Sequence, residues 1–134
     1  MEIIIVSDSN IISSQIEDYS KRINKRIKFS VLESSPEKII KNTDYVVVLD
    51  ERGQKFDNIS FAKKFDNILS SGSYKRIIFV VGDAYGISDE VKNKANLVWS
   101  FSDQVFPHKL FAVMLTEQIY RTLEIINNSP YHHE

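Results

Sequence analysis

The sequence predicts an α/β fold, a mostly parallel sheet with flanking helices, on three observations. Short apolar runs rich in β-branched residues (EIIIVS, DYVVVLD, YKRIIFVV and NLVWSF) recur along the chain, and runs of that length read as buried strands. Stretches with helical caps and helical spacing separate them, and strands alternating with helices favour parallel pairing. At 134 residues, 43% hydrophobic and 26% charged, the chain can bury one core of ordinary size and reads as a single domain over 1–134.

The elements follow in order. After EIIIVS, Asn10 is placed to cap a helix that runs through about Lys25. IKFSVLE alternates and reads as a strand. SPEKIIKN allows at most two helical turns, with Pro36 suited to the first. DYVVVLD is a buried strand ending at Leu49 and Asp50, ERGQKFD a loop, and a helix follows through about Ser70. SGS breaks the chain before YKRIIFVV, the strongest strand. GDAYGIS is a loop, and Ser88 caps a short helix with Asp89 and Glu90 in its first turn, where the helix dipole favours acids. NLVWSF is the last strand. Pro107 then starts a long helix through Asn127 that puts Phe111, Leu115, Ile119, Leu123 and Ile126 on one face. Leu110, Val113 and Met114 widen that face, which suggests a second buried side and a partner subunit.

Composition removes several function classes. There is no cysteine, hence no disulfide, zinc thiolate or thiol nucleophile. MEIIIVSDSN is neither a signal peptide nor a membrane span, so a cytoplasmic protein is expected. The net charge of −1 does not advertise nucleic-acid binding. KRINKRIK nevertheless gathers Lys21, Arg22, Lys25, Arg26 and Lys28, readable as a solvated helix face or as a phosphate-contacting patch.

Open parallel sheets bind ligands beyond the carboxyl ends of their strands. Three loops qualify, after Asp50, after Val81 and after Phe101. Strands ending in VSD and VVVLD resemble phosphoacceptor signalling domains, with Asp50 as acceptor and Asp8 as a metal ligand. That reading fails on its partners: no acid pair follows the first strand, Gly82-Asp83 stands where a hydroxyl residue belongs, and no lysine directly follows the last strand.

A longer resemblance fits. FVVGDAYGIS, WSFSDQVFPHKL, LTEQIYR and the terminal PYHHE occur in order at fitting distances, with YSKRIN and LDERGQK upstream. Together they resemble the RlmH family, SPOUT-class methyltransferases acting on a pseudouridine of large-subunit ribosomal RNA; the match is strong over about 44–134. The resemblance implies a C-terminal trefoil knot, a homodimer, S-adenosylmethionine as cofactor and ribosomal RNA or the ribosome as partner, without membrane or metal. By family position Leu49, Gly82, Phe101, Ser102, Asp103, Gln104, Val105 and Phe106 would line the cofactor pocket, Gly82 permitting close approach. The bland alternative for Phe101, Val105 and Phe106 is core around a turn.

The implied acceptor is N3 of pseudouridine, whose proton must leave before its lone pair can attack. Histidine is well matched to that task near neutral pH, which makes His132 the candidate base or orienting group. Tyr131 would stack on the acceptor or hydrogen-bond to it. Arg121 would hold a phosphate or developing negative charge, or else pair with Glu117 one turn earlier. His108 would be structural beside the cofactor loop. The chain departs from the family pattern in three places: Asp83 replaces a second glycine, LDERGQK has one extra residue before its lysine, and the stretch before DYVVVLD is short. A non-catalytic descendant that keeps the knotted dimer as an interaction module is the alternative function.

Overall fold

The computed structural model describes residues 1–83, 85–128 and 131. Strands β1 (Glu2–Ser7), β2 (Lys28–Glu33), β3 (Tyr45–Lys55), β4 (Arg76–Val80) and β5 (Leu97–Ser100) form one sheet in the order β2-β1-β4-β3-β5. Every pairing is parallel, so the expected α/β class is found. β2 and β5 are its edges. The order also rules out the signalling-domain alternative, because flavodoxin-like sheets run 2-1-3-4-5 and here β3 lies outside β4.

Successive strand residues point to opposite faces, and both faces are covered, which is why the strands read as unbroken apolar runs. Ile3, Ile5, Val47, Leu49, Ile77 and Phe79 pack toward helices α1 (Ser14–Asn24), α3 (Asn58–Ser70) and α5 (His108–Ile126). Ile4, Val6, Val46, Val48, Ile78 and Val80 face the smaller layer, where Val91 of α4 (Asp89–Asn93) and Ile39 of α2 (Pro36–Ile39) cover them.

Local chemistry sets the helix starts. Ser88 caps α4 as expected, its Oγ accepting from Val91 N at 3.3 Å, and Asp57 caps α3 through Ser60 N at 2.7 Å. The α1 cap differs from expectation. Asn10 Oδ1 accepts from Ile12 N at 3.1 Å, closing a turn before the helix, and Ser13 Oγ takes the capping bond from Ile16 N at 3.3 Å. Asparagine serves either role, and the buried Ile11 anchors the chain between them. α2 is a single turn.

The basic run is not one helix face. α1 stops at Asn24, and Lys28 already belongs to β2. Arg22 lies over the rings of Tyr19 and Tyr120, while Arg26 forks onto the buried Glu124 carboxylate at 2.8 and 3.2 Å.

The largest departure is in β3. ERGQKFD reads as loop, yet β3 continues to Lys55. Leu49 and Gln54 both register against Trp99, so residues 50–53 bulge out and the strand then rejoins β5. Gly53 makes this possible: a Cβ there would come within 2.6 Å of the Val98 carbonyl oxygen. Among the described residues, no helix is long and apolar enough to cross a membrane.

Candidate active site

The three loops singled out from the strand ends meet around one cleft of about 550 Å³. Leu49 and the bulge residues Asp50, Glu51 and Arg52 form one wall; Gly82, Asp83, Tyr85, Gly86 and Ile87 form the second. The third is Phe101, Ser102, Gln104, Val105 and Phe106, continuing to His108 and Phe111 at the start of α5. Seven of the eight residues expected around a cofactor therefore line this space. Asp103 does not; its carboxylate pairs with Lys55 Nζ and ties the post-β5 loop to the end of β3.

Hydrogen bonds and rings brace the walls. The buried Ser100 Oγ lies 3.1 Å from the Glu51 carbonyl and 2.8 Å from that of Ser102, joining two walls. Trp99 stacks on Phe61 at 3.8 Å and meets Phe101 edge-on at 4.7 Å; Phe101 in turn contacts Phe111. Phe101 thus belongs to both core and cleft. Val105 is 78% exposed, which removes the bland core reading for that residue.

The second wall explains how Asp83 replaces a glycine. Its Oδ1 accepts from Tyr85 N at 2.8 Å and its carbonyl from Gly86 N at 3.0 Å. The carboxylate so caps a tight turn in which Gly86 takes the positive φ of 83°. Gly82 lets the turn pack closely as well, since a Cβ would sit 3.2 Å from Ile87 and 3.3 Å from Gly86.

Charge in the cleft is organised by Asp50. Its carboxylate is held below the usual range mainly by the Arg52 side-chain hydrogen bond, with Lys92 contributing. Arg52 Nε and Nη2 grip it at 3.1 Å each, and Lys92 Nζ lies at 3.8 Å. Arg52 and Tyr85 escaped the sequence reading because the β3 bulge and the turn after β4 carry no periodicity, position after a strand end being the available signal, and Lys92 because one charge on the short helix α4 does not stand out. Behind the second wall lies a smaller cavity of about 250 Å³ that includes Asp8 and Glu37. Burial raises the Asp8 carboxyl, helped by Glu37 and Asp83. Among the described residues, no three acids or histidines are grouped to hold a metal ion.

Two of the residues expected to act on the acceptor, Arg121 and Tyr131, lie together away from this cleft. Arg121 pairs with Glu117 at 2.8 Å, the alternative weighed for it, and its guanidinium lies 5.0 Å from the Tyr131 ring centre. Tyr131 Oη donates to Glu117 at 3.1 Å, and its ring meets Tyr120 edge-on. Burial first, then the Glu117 charge, pushes the Tyr131 phenol up to about 12. Arg121 is ten residues beyond Phe111, the last cleft-lining residue of α5, about 15 Å along the helix axis from the cleft of the same chain. His132 lies outside the described residues.

Comparison with known proteins matches this architecture. A family model described as "Predicted SPOUT methyltransferase" covers residues 1–132. The ribosomal RNA large subunit methyltransferase H of Bdellovibrio bacteriovorus is 47% identical over 71% of this chain and 60% of its own. Proteins of the same name from Natranaerobius thermophilus and Clostridium botulinum are each 33% identical, over 88% of both chains and over 98% and 99% respectively. The Clostridium alignment runs over 159 positions against 134 residues here, so that relative carries segments this chain lacks. The chain belongs to the SPOUT methyltransferase family, on its ribosomal RNA large subunit methyltransferase H (RlmH) branch.

Proposed function

We propose that this chain transfers a methyl group from S-adenosylmethionine to large-subunit ribosomal RNA, with N3 of a pseudouridine as acceptor, and works as a cytoplasmic homodimer. One observation carries the reading: in a methyltransferase-family chain, three strand-end loops enclose a cleft of about 550 Å³, within the range of small-molecule sites. Its chemistry suits the ligand. Phe101, Val105 and Phe106 offer apolar surface to an adenosine, and the Asp83 carboxylate on the second wall sets a negative charge beside a cation.

When bound, S-adenosylmethionine supplies a sulfonium methyl electrophile, chemistry that requires no metal. The chain's residues hold the donor in the cleft and prepare the acceptor. A base of this chain would take the N3 proton, leaving the lone pair free to receive the methyl that a bound donor would supply. We assign the base to His132. Tyr131, whose phenol keeps its proton to about pH 12, serves as donor or stacking surface. Arg121 stabilises negative charge on the uracil oxygens.

The homodimer follows from the same reasoning. Arg121 and Tyr131 lie far from their own cleft, so a second copy must bring its α5 and tail to it. Leu110, 52% exposed, and the partly exposed Val113 and Met114 give α5 an outer apolar face for that contact. The trefoil threading of the C-terminal segment belongs to this same proposal.

Calorimetric titration with S-adenosylmethionine, followed by methyl transfer to ribosomes from cells lacking the modification, tests it. Saturable binding below millimolar cofactor and labelling of large-subunit RNA are expected; no heat at millimolar cofactor would sink the reading. Binding without transfer would leave the interaction module, a role favoured by the grip of Glu117 on Arg121.

A further inference from the structure

One aromatic residue at the cleft is left in water. Tyr85 is 98% exposed, although it lines the rim of the large cleft and of the smaller cavity behind it. The backbone beneath it is well braced. Tyr85 N donates to Asp83 Oδ1, Gly86 N donates to the Asp83 carbonyl, and Asp83 and Gly86 form an antiparallel bridge. A ring anchored on a hydrogen-bonded turn and exposed to water offers a flat apolar face to a ligand, and stacking must outweigh the rotamer freedom the ring gives up.

We infer that Tyr85 contacts the substrate, its ring serving as the platform on which a nucleobase of the acceptor RNA stacks at the mouth of the cleft. The inference rests on the methyl-transfer reading and adds a substrate contact to it. Charge decides which part of the RNA meets the ring. Asp8, Glu37 and Asp83 surround the smaller cavity on one side of the turn and repel phosphate. On the cleft side the carboxylates of Asp50 and Glu51 are balanced by Arg52 and Lys92, so a backbone meets less repulsion there. A strand crossing the turn therefore presents a base to Tyr85. Unstacked bases are commonly read in this way, on aromatic side chains.

The test compares Tyr85→Ala and Tyr85→Phe with the parent. Ribosome affinity is read by filter binding, methyl transfer by steady-state kinetics and S-adenosylmethionine affinity by calorimetry. Loss of one base stack corresponds to roughly 5- to 150-fold in affinity. Tyr85→Ala should weaken ribosome binding and raise KM within that range, Tyr85→Phe should stay within about twofold of the parent, and cofactor affinity should hold in both. Unchanged ribosome affinity in Tyr85→Ala overturns the inference. So does a drop in cofactor affinity instead, which would put the ring over adenine, or a loss of dimer mass, which would make it a protein contact. A parent that fails to bind S-adenosylmethionine while Tyr85→Ala still weakens ribosome binding would defeat the methyl-transfer reading and leave this inference standing.

Discussion

The Tyr131 phenol is half-buried against the Glu117 carboxylate, and burial first, then that charge, governs its behaviour in base. Ionising it would place a second negative charge beside the first, in a half-buried setting. The folded phenol titrates at about 12, whereas an unfolded tyrosine titrates near 10. Above pH 10 the unfolded chain releases this proton and the folded chain keeps it, so rising pH favours unfolding. The contribution to stability is complete below pH 10 and disappears as the pH climbs through about 12. Absorbance titration at 295 nm, taken as the difference between parent and Tyr131→Phe, should isolate one phenol titrating near 12; a midpoint near 10 would mean that Tyr131 leaves Glu117 in solution. Asp83 was hard to judge at this scale for a different reason. Sequence shows a carboxylate in place of a glycine, but only the turn reveals that the carboxylate is consumed in capping Tyr85 N.

Among the elements, β3 has the most unusual construction. The bulge at 50–53 carries Asp50, Glu51 and Arg52 into the cleft, and its return depends on Gly53 lying against the β5 backbone. Gly53→Ala would force a Cβ into the Val98 carbonyl, with nothing flexible to yield. Overpacking of this kind costs typically 1–3 kcal/mol, and the expected loss is about 2 kcal/mol together with weaker cofactor binding. The single Trp99, buried and opposite the bulge, is a natural fluorescence probe of the urea midpoint. A variant as stable as the parent would show that the bulge has room to spare. β1, β3 through Asp50 and β4 were legible because their apolar runs are dictated by burial on both faces, and β5 because its run is apolar although Val98 is exposed. The rest of β3 was not, since residues 51–53 bulge out, only Gln54 and Lys55 pair opposite Trp99 and Ser100, and the side chains of the stretch have no pattern to read.

For the molecule as a whole, the question is how one catalytic centre is assembled. Position after strand ends was enough to find the cleft from sequence, because a parallel sheet directs those loops to one rim. The separation of Arg121 and Tyr131 from that rim was not legible, since distance along a helix says nothing about which copy of the chain a residue serves. If the cleft of one copy works with α5 of another, two crippled variants should repair each other. Arg121→Ala and a cleft-filling Ser102→Trp should each be inactive alone, while a mixture allowed to exchange subunits should regain roughly a quarter of parental activity. No recovery, with mixed dimers verified by mass, would require each chain to act alone.

The margins of the sheet bear on how copies can meet. β5 is only four residues long, and β2 begins and ends on the exposed Lys28 and Glu33. A foreign strand laid along either border would gain few backbone bonds or would have to dehydrate a charged end. Growth by adding strands, the route to fibrils, is thereby discouraged, and the proposed pairing of two copies is left to the helical flanks.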